Sequence, residues 1–438
     1  MTSATTRAQT RTREAKGQAE THDVLVAGGG PAGLAAAVAA ARSRARVLLV
    51  ERYGFLGGMA TAGLVNPFMG FHVRGEPIIG GVLAEVIERL QVAGGWGSAR
   101  TPLAFDAEAF KFVADDMCRE AGVKLLLHSW VGKPAVRRGR IESVTVENKS
   151  GAQRLAAAVY VDATGDADLA ARAGAPCEVG RGQDGLTQPM TLCFRMAEVD
   201  IARMPPRDEI NRLYDRARAA GEITNPRENV LLFFVPAPGV VHFNTTRVVG
   251  RSGVDAQDLT AAEIEARDQV RQMMAFLKSR VAGFERAYLQ AMAPQIGVRE
   301  TRRIVGEYVV TGEDILAARK FEDAVARGNY PIDIHNPAGG GTVIQSVPAG
   351  ESYDLPYRCL VPRRIGNLLV AGRSVSATHE AQASLRIMPI CMALGQAAGV
   401  AAALCARKGI TPRALPYAAL RRALLRQGAN LLPRRARG

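Results

Sequence analysis

The stretch from Asp23 to Glu51 limits the possible folds more than any other part of the 438-residue chain. An apolar run, Asp23-Val-Leu-Val-Ala27, meets the turn Gly28-Gly-Gly30-Pro-Ala32-Gly33. An Ala-rich helical segment then runs to about Arg42, and a second apolar run, Arg46-Val-Leu-Leu-Val50, ends at Glu51. Strand, glycine turn, helix and strand within about thirty residues make a βαβ unit. The turn has the GxGxxG spacing of a dinucleotide site. Gly28 permits the tight turn, Gly30 lets the backbone approach a pyrophosphate, and Gly33 lets helix and strand pack closely. The helix N-terminus offers free N–H groups and the positive end of its dipole to a diphosphate. Glu51 sits at the tip of the second strand, where a carboxylate can accept both hydroxyls of a ribose. A second match, Gly180-Arg-Gly182-Gln-Asp-Gly185, leads into no helical run and no acid-tipped strand, and reads as an ordinary turn.

The net charge of +14 raises the question of nucleic acid, and its distribution answers it. Residues 407–438 hold nine basic side chains and no acidic one, and residues 1–20 add a net +2, so the body of the chain carries only about +3. Solvated basic ends are expected, with no nucleic-acid groove. The six cysteines show no CxxC and no ligand spacing, which fits a reduced, cytoplasmic protein without a metal site. The start has no apolar segment of the secretory kind. Ile387–Ala406 is long and uncharged enough to pass a crude membrane test. It is mostly Ala and contains Pro389, Gly395, Gln396 and Gly399, so a buried helix and no transmembrane segment is expected.

The organisation expected is α/β: a Rossmann-like domain with a central parallel sheet and a β-meander, plus a mixed α+β substrate domain inserted in the middle third. Residues 1–20 read as a disordered arm, 21–185 and 355–410 as the two parts of the nucleotide domain, 186–354 as the substrate domain and 411–438 as a basic tail. The meander is expected over Val136–Tyr160, ending in the apolar strand Ala158-Val-Tyr-Val161. Alternating segments at Met190–Val199, Leu231–Val249 and Ile296–Val310 supply the second sheet.

The residues after the fingerprint separate FAD from NAD. Glu51-Arg52-Tyr-Gly-Phe-Leu-Gly57-Gly58-Met59 lets the chain fold back over a ribose and diphosphate. Val161-Asp-Ala163-Thr164-Gly165 closes a strand with small residues, and Val370-Ala-Gly372-Arg373 leads toward a helix whose N-terminus can face a flavin carbonyl. At these residues the chain resembles the glutathione-reductase-like FAD-dependent oxidoreductases, from about Asp23 to Lys408. The likeness includes Pro294–Arg303 and Asn329–Asn336. The resemblance implies FAD as cofactor, with Gly28, Gly30, Ala32 and Gly33 at the diphosphate and Glu51 at the adenosine ribose. It puts Arg52, Gly58 and Met59 around that ribose, Val131 at the adenine through its backbone, and Ala163, Thr164 and Gly165 along the cofactor. Gly372, Arg373, Ile387 and Met388 complete the set. Many relatives have Asp where this chain has Arg373, and a cation there suits diphosphate or flavin oxygens instead.

Candidates for chemistry come from two segments. Ser374–Met388 reads as a loop beside the flavin, with His379 as an acid or base and Arg386 as a stabiliser of reduced-flavin charge; a locally bonded histidine and an ion-paired arginine are the structural alternatives. Asp333-Ile-His335-Asn336 offers His335 as a base oriented by a neighbour, and on a strand 333 and 335 share a face while 336 does not. Arg299 and Arg302 could receive an anionic small-molecule substrate. The expected activity is oxidation of a small organic substrate by hydride transfer to the flavin, as a dehydrogenase or oxidase. An NAD(P)H-driven monooxygenase or reductase and a non-redox FAD module are the alternatives. The residues leave open the electron acceptor (oxygen, quinone or protein) and the oligomeric state, a homo-oligomer included.

Overall fold

Strands β1 (Thr21–Ala27), β2 (Val47–Val50) and β3 (Lys124–Leu126) run parallel in the order β3-β2-β1. The structure, a computed structural model, describes residues 21–431. The arm expected over 1–20 and the last residues of the expected tail lie outside them. An antiparallel meander comes next, β4 (Trp130–Arg137), β5 (Arg140–Asn148) and β6 (Gly151–Asp162). β6 joins two kinds of sheet: its first residues close the meander, and its last pair parallel with β1.

The chain then builds a separate antiparallel sheet from β7 (Phe194–Ala197), β8 (Leu232–Phe234), β9 (Val241–Phe243) and β10 (Tyr288–Met292), in the order β8-β9-β7-β10. A hairpin, β11 (Ile332–His335) and β12 (Thr342–Gln345), leads back to β13 (Leu368–Val370), which pairs parallel with the other edge of β6. The fold is the expected one, a Rossmann-type parallel sheet with a meander and an inserted second sheet. The strand order reverses between β1 and β6, and in such sheets the crevice beyond the strand ends at that point takes the ligand.

Helix α1 (Pro31–Arg42) comes after β1 with Pro at its start, where the missing N–H costs nothing. Helix α2 (Ala107–Ala121) begins at Asp106, whose side chain accepts the N–H groups of Glu108 and Ala109, and ends at Gly122 with φ +76°. Helix α3 (Ala256–Arg280) covers one face of the second sheet, burying Ala266, Met273 and Phe276 with Phe194 and Phe243. That second core ends near Val298, whereas Val310, Val325 and Tyr353 pack into the core of the nucleotide domain. The change of core therefore falls well before the boundary expected at residue 354.

The segment 374–388, expected as a loop, contains the short helix α4 (His379–Leu385), started by Thr378. Helix α5 (Met388–Lys408) is next in the chain. Among the described residues it is the one helix long and apolar enough to cross a membrane, and it lies almost wholly buried inside the protein. Its packing explains its composition. A Cβ at Gly395 would come 2.1 Å from the carbonyl oxygen of Ala32, and one at Gly399 2.0 Å from that of Ala36. Only small residues let α5 lie this close on α1.

The expected basic tail is corrected over residues 412–431. Helix α6 (Tyr417–Arg426) buries Leu420 and Leu424 and turns Arg422 and Arg426 outward. Gln427 donates to the carbonyl of Ala39 at 3.1 Å and accepts through its own carbonyl from Gln396 at 3.0 Å. Counting charge hid an amphipathic period of one turn and a little more. Leu424→Ala is expected to cost about 2–4 kcal/mol of stability, the range for a fully buried leucine, measured by denaturant unfolding; a loss near zero would show that α6 does not dock.

Candidate active site

A cavity of about 410 Å³ opens at the β1–β6 junction and extends to the second sheet and the β11–β12 hairpin. Its first half is built by glycines. Gly28 has φ +97°, and a Cβ there would sit 2.6 Å from the carbonyl oxygen of Ala163. A Cβ at Gly33 would lie 1.8 Å from the carbonyl oxygen of Gly28. A Cβ at Gly30 would meet only Gly58, at 3.8 Å, because the space beside it is the cavity itself. The first N–H groups of α1 have no acceptor within the helix and face this space. Across it stands the N-terminus of α5, with Ile387 as cap and Met388 and Pro389 in the wall. Two helix dipoles thus converge on one cavity.

Glu51 is buried at the rim, accepting the N–H groups of Gly29 at 2.5 Å and Tyr53 at 3.0 Å. These bonds hold the carboxylate in place and leave lone pairs for further donors. Arg52 stacks on the rings of Tyr53 and Trp130 and donates to Gln295. Thr164 donates through N–H and hydroxyl to Asp162, leaving Ala163, Thr164 and Gly165 along the wall with Gly58, Met59, Gly372 and Ala32. Arg373 also lines the wall, but it is paired with Asp166 at 2.6 Å. The free cation expected there is thus largely neutralised. Val131 does not line the cavity, and its carbonyl accepts from Arg172 at 2.6 Å.

The second half of the cavity is cationic. Arg299 is buried, donating to the carbonyl of Pro189 at 2.6 Å, and burial together with the charges of Arg386 and Arg227 pushes its pKa down from the usual value. Arg227 and Arg247 come from irregular segments near β8 and β9, and both point at His335 Nδ1, at 3.4 and 3.1 Å. Guanidinium groups only donate, so Nδ1 is the acceptor and the ring proton sits on Nε2. Burial and the surrounding arginines hold the His335 pKa well below the ordinary value. His335 is therefore a neutral donor, and the base expected there is corrected.

The acceptor in this half is Asp333, on the same face of β11. Its carboxylate receives the Tyr330 hydroxyl at 2.9 Å and lies 3.6 Å from Arg386 and 3.7 Å from His335 Nε2. The other carboxylate in the wall, Glu228, is held by Arg247 at 3.0 Å and Thr342 at 2.8 Å. Asn336 turns away into its own turn, as the strand alternation requires. Cys391 also lines the cavity, and burial pushes its pKa up to about 12, so it stays a thiol.

His379 is not in the wall. Its Nδ1 meets Glu300 at 2.9 Å in a buried network that also takes Arg303 and the Gln188 N–H. The catalytic role expected for His379 has no surface to act on, and this network ties the start of α4 to the segment before β11. Arg302 pairs with Asp168 at 2.9 Å, leaving Arg299 alone of the two to face the cavity. The second GxGxxG is a turn whose Gly180 carbonyl accepts from Arg303 at 2.8 Å. Sequence reasoning missed Arg227, Arg247 and Tyr330. For Arg247 a signal existed: it is the one charged side chain in the strand-like run Val240–Val248, and it is buried.

A family model described as FAD dependent oxidoreductase matches residues 23–424, and the chain belongs to that family. FAD is its cofactor, and the residues fit the group: an open cradle at Gly30, two helix N-termini, and a fixed carboxylate at Glu51. Comparison with curated proteins gives no match. Among solved structures, the chain is similar to a geranylgeranyl bacteriochlorophyll reductase-like protein from Thermoplasma acidophilum, with 13% identity, TM-score 0.46, and 89% of this chain and 79% of that one covered. It is also similar to a p-nitrophenol 4-monooxygenase from Pseudomonas putida, with 11% identity, TM-score 0.45, and 90% and 82% covered. A third is an anhydrotetracycline hydroxylase from Streptomyces rimosus, with 14% identity, TM-score 0.47, and 93% and 66% covered.

Glu51→Ala is expected to weaken FAD binding by about 2–4 kcal/mol, the scale of two charge-assisted hydrogen bonds. Gly30→Val, whose side chain would fill the cradle, is expected to give protein without FAD. Retained flavin absorbance after gel filtration checks both, and full occupancy in both variants would place the cofactor elsewhere.

Proposed function

We propose that the protein is a cytoplasmic dehydrogenase or oxidase that removes a hydride from a small organic anion carrying a hydroxyl or amine beside the bond that breaks. The observation that carries this reading is the charge of the second half of the cavity. Arg227, Arg299 and Arg386 face it against two carboxylates, Glu228 and Asp333, and the buried Arg247 stands behind them, paired with Glu228. A cluster with this excess, partly removed from water, favours a carboxylate strongly.

FAD, when bound, supplies the acceptor for the hydride. Arg299 and Arg386 are placed to bind the substrate carboxylate and to stabilise negative charge that develops beside them. Asp333 accepts the proton of the substrate hydroxyl or amine, held in place by the Tyr330 hydroxyl at 2.9 Å. Arg227 and Arg247 act on His335, fixing its tautomer. The free cysteines, buried apart from the half-buried Cys177, fit a reducing compartment.

Anaerobic mixing with a panel of hydroxy and amino carboxylates tests the reading. At least one should bleach the visible flavin absorbance, and its ester should not. Bleaching by NADH or NADPH alone would replace this function with a nicotinamide-driven one. With the substrate so found, Arg386→Ala should keep most of the FAD and slow reduction ~10²-fold, the scale for losing one preorganised charge-stabilising donor. His335→Ala should slow reduction without removing any limb of the pH profile between about pH 6 and 8, where an ordinary histidine titrates. The reason is its lowered pKa: the ring is already neutral throughout that range. A limb lost on His335→Ala would restore the histidine as the base.

A further inference from the structure

The second sheet carries a polar pair outside the wall of the cavity. Arg195 on β7 and His242 on β9 are direct cross-strand partners, so their side chains leave the sheet on the same face. The other face is apolar core, where Phe194 and Phe243 stack at 4.8 Å. Both polar side chains are buried, with exposures of 8% for Arg195 and 0% for His242. Neither is used internally. Nε and Nη2 of Arg195 and both ring nitrogens of His242 have no hydrogen-bond partner among the described residues.

Desolvating a guanidinium without a partner is among the costliest arrangements in a folded protein, and native structures satisfy such groups with protein atoms, water or an ion. The geometry is specific. Nε–H and Nη2–H lie parallel on one edge of the guanidinium, the fork that takes a single acceptor in bidentate fashion. The nearby acidic side chains are Asp106 and Glu108 at the start of α2, and neither forms an ion pair with Arg195. Asp106 is committed as the cap of α2, accepting the N–H groups of Glu108 and Ala109 at 2.7 and 2.9 Å.

The charge to be balanced is one. Burial and the neighbouring Arg195 push the His242 pKa down to about 3, so the ring is neutral and offers one N–H donor in either tautomer. A dianion such as sulfate would leave one charge uncompensated in a low-dielectric layer. Phe233 pairs with His242 in the sheet, with ring centroids 6.3 Å apart, and itself lines the cavity. The pair therefore lies beside that wall and apart from the arginines that face the substrate.

We infer that Arg195 and His242 form a binding site for one small monoanion, a halide or a carboxylate no larger than formate. The anion accepts from the Arg195 fork and from one His242 nitrogen, and it completes the layer between the second sheet and the start of α2.

The test uses crystals of the FAD-loaded protein, grown without halide and soaked in bromide, with data collected at the bromine edge. The expected result is an anomalous peak in hydrogen-bonding contact with Arg195 Nε and Nη2 and with His242. In R195M the peak should be lost while bromide at other positions stays. In solution, exchanging sulfate for bromide at equal ionic strength should shift the unfolding temperature of the wild type upward relative to that of R195M, the general salt effect being common to both. A formate co-soak that abolishes the peak identifies a small carboxylate as an equal ligand, and a peak that persists identifies a halide site. Water alone at the fork of the bromide-soaked wild type, or the Asp106 carboxylate turned onto it, would overturn the inference. Should R195M not fold, the wild-type map decides.

Discussion

The contact at the β1–β6 junction is the constraint on which the rest depends. With a Cβ at Gly33 only 1.8 Å from the carbonyl oxygen of Gly28, α1 can start where it does only if that residue is glycine. This close start aims the first N–H groups of α1 along the crevice and keeps Ala163 in its wall. α5 then packs on α1 through Gly395 and Gly399, at similar distances from carbonyl oxygens. The second helix N-terminus is thus brought to the same crevice by the first. The cofactor half of the cavity is a consequence of backbone packing, with Glu51 the only carboxylate needed to finish it.

The other half rests on charge. Three guanidinium groups share a confined space with two carboxylates, with Arg247 buried behind them, and burial together with this excess lowers the pKa of Arg299 and holds His335 neutral. This arrangement is costly when empty and relieved by an anion, which is how binding energy becomes orientation. The histidine works here as an oriented donor whose proton is fixed by neighbours that can only donate.

The cofactor half was legible in the sequence because its requirements are local. Glycines at fixed spacing, an acid at a strand tip and Pro at a helix start each have a mechanism that acts within a few residues. The second half was legible only in part: Arg299, His335 and Arg386 stood out as candidates, but Arg227, Arg247 and Tyr330 did not, because what makes them matter is contact with residues far away in the chain. Strand alternation did put Asp333 and His335 on one face, but which of them acts as acceptor depends on arginines that only the tertiary fold delivers. His379 misled for the opposite reason: its segment runs beside the cavity, while its ring turns to Glu300. The helix α6 was hidden by its own arginines, whose charge masked the spacing of Leu420 and Leu424.

On this reading one cavity joins the FAD cradle to an anion site. A crystal structure of the FAD complex soaked with oxalate, a dicarboxylate with no C–H bond to oxidise, tests it most directly. The diphosphate is expected at Gly30 and the first turn of α1, the flavin ring beside the start of α5, and an oxalate carboxylate on Arg299 and Arg386 next to that ring. Oxalate absent from these arginines, or a flavin ring separated from them by protein, would contradict it.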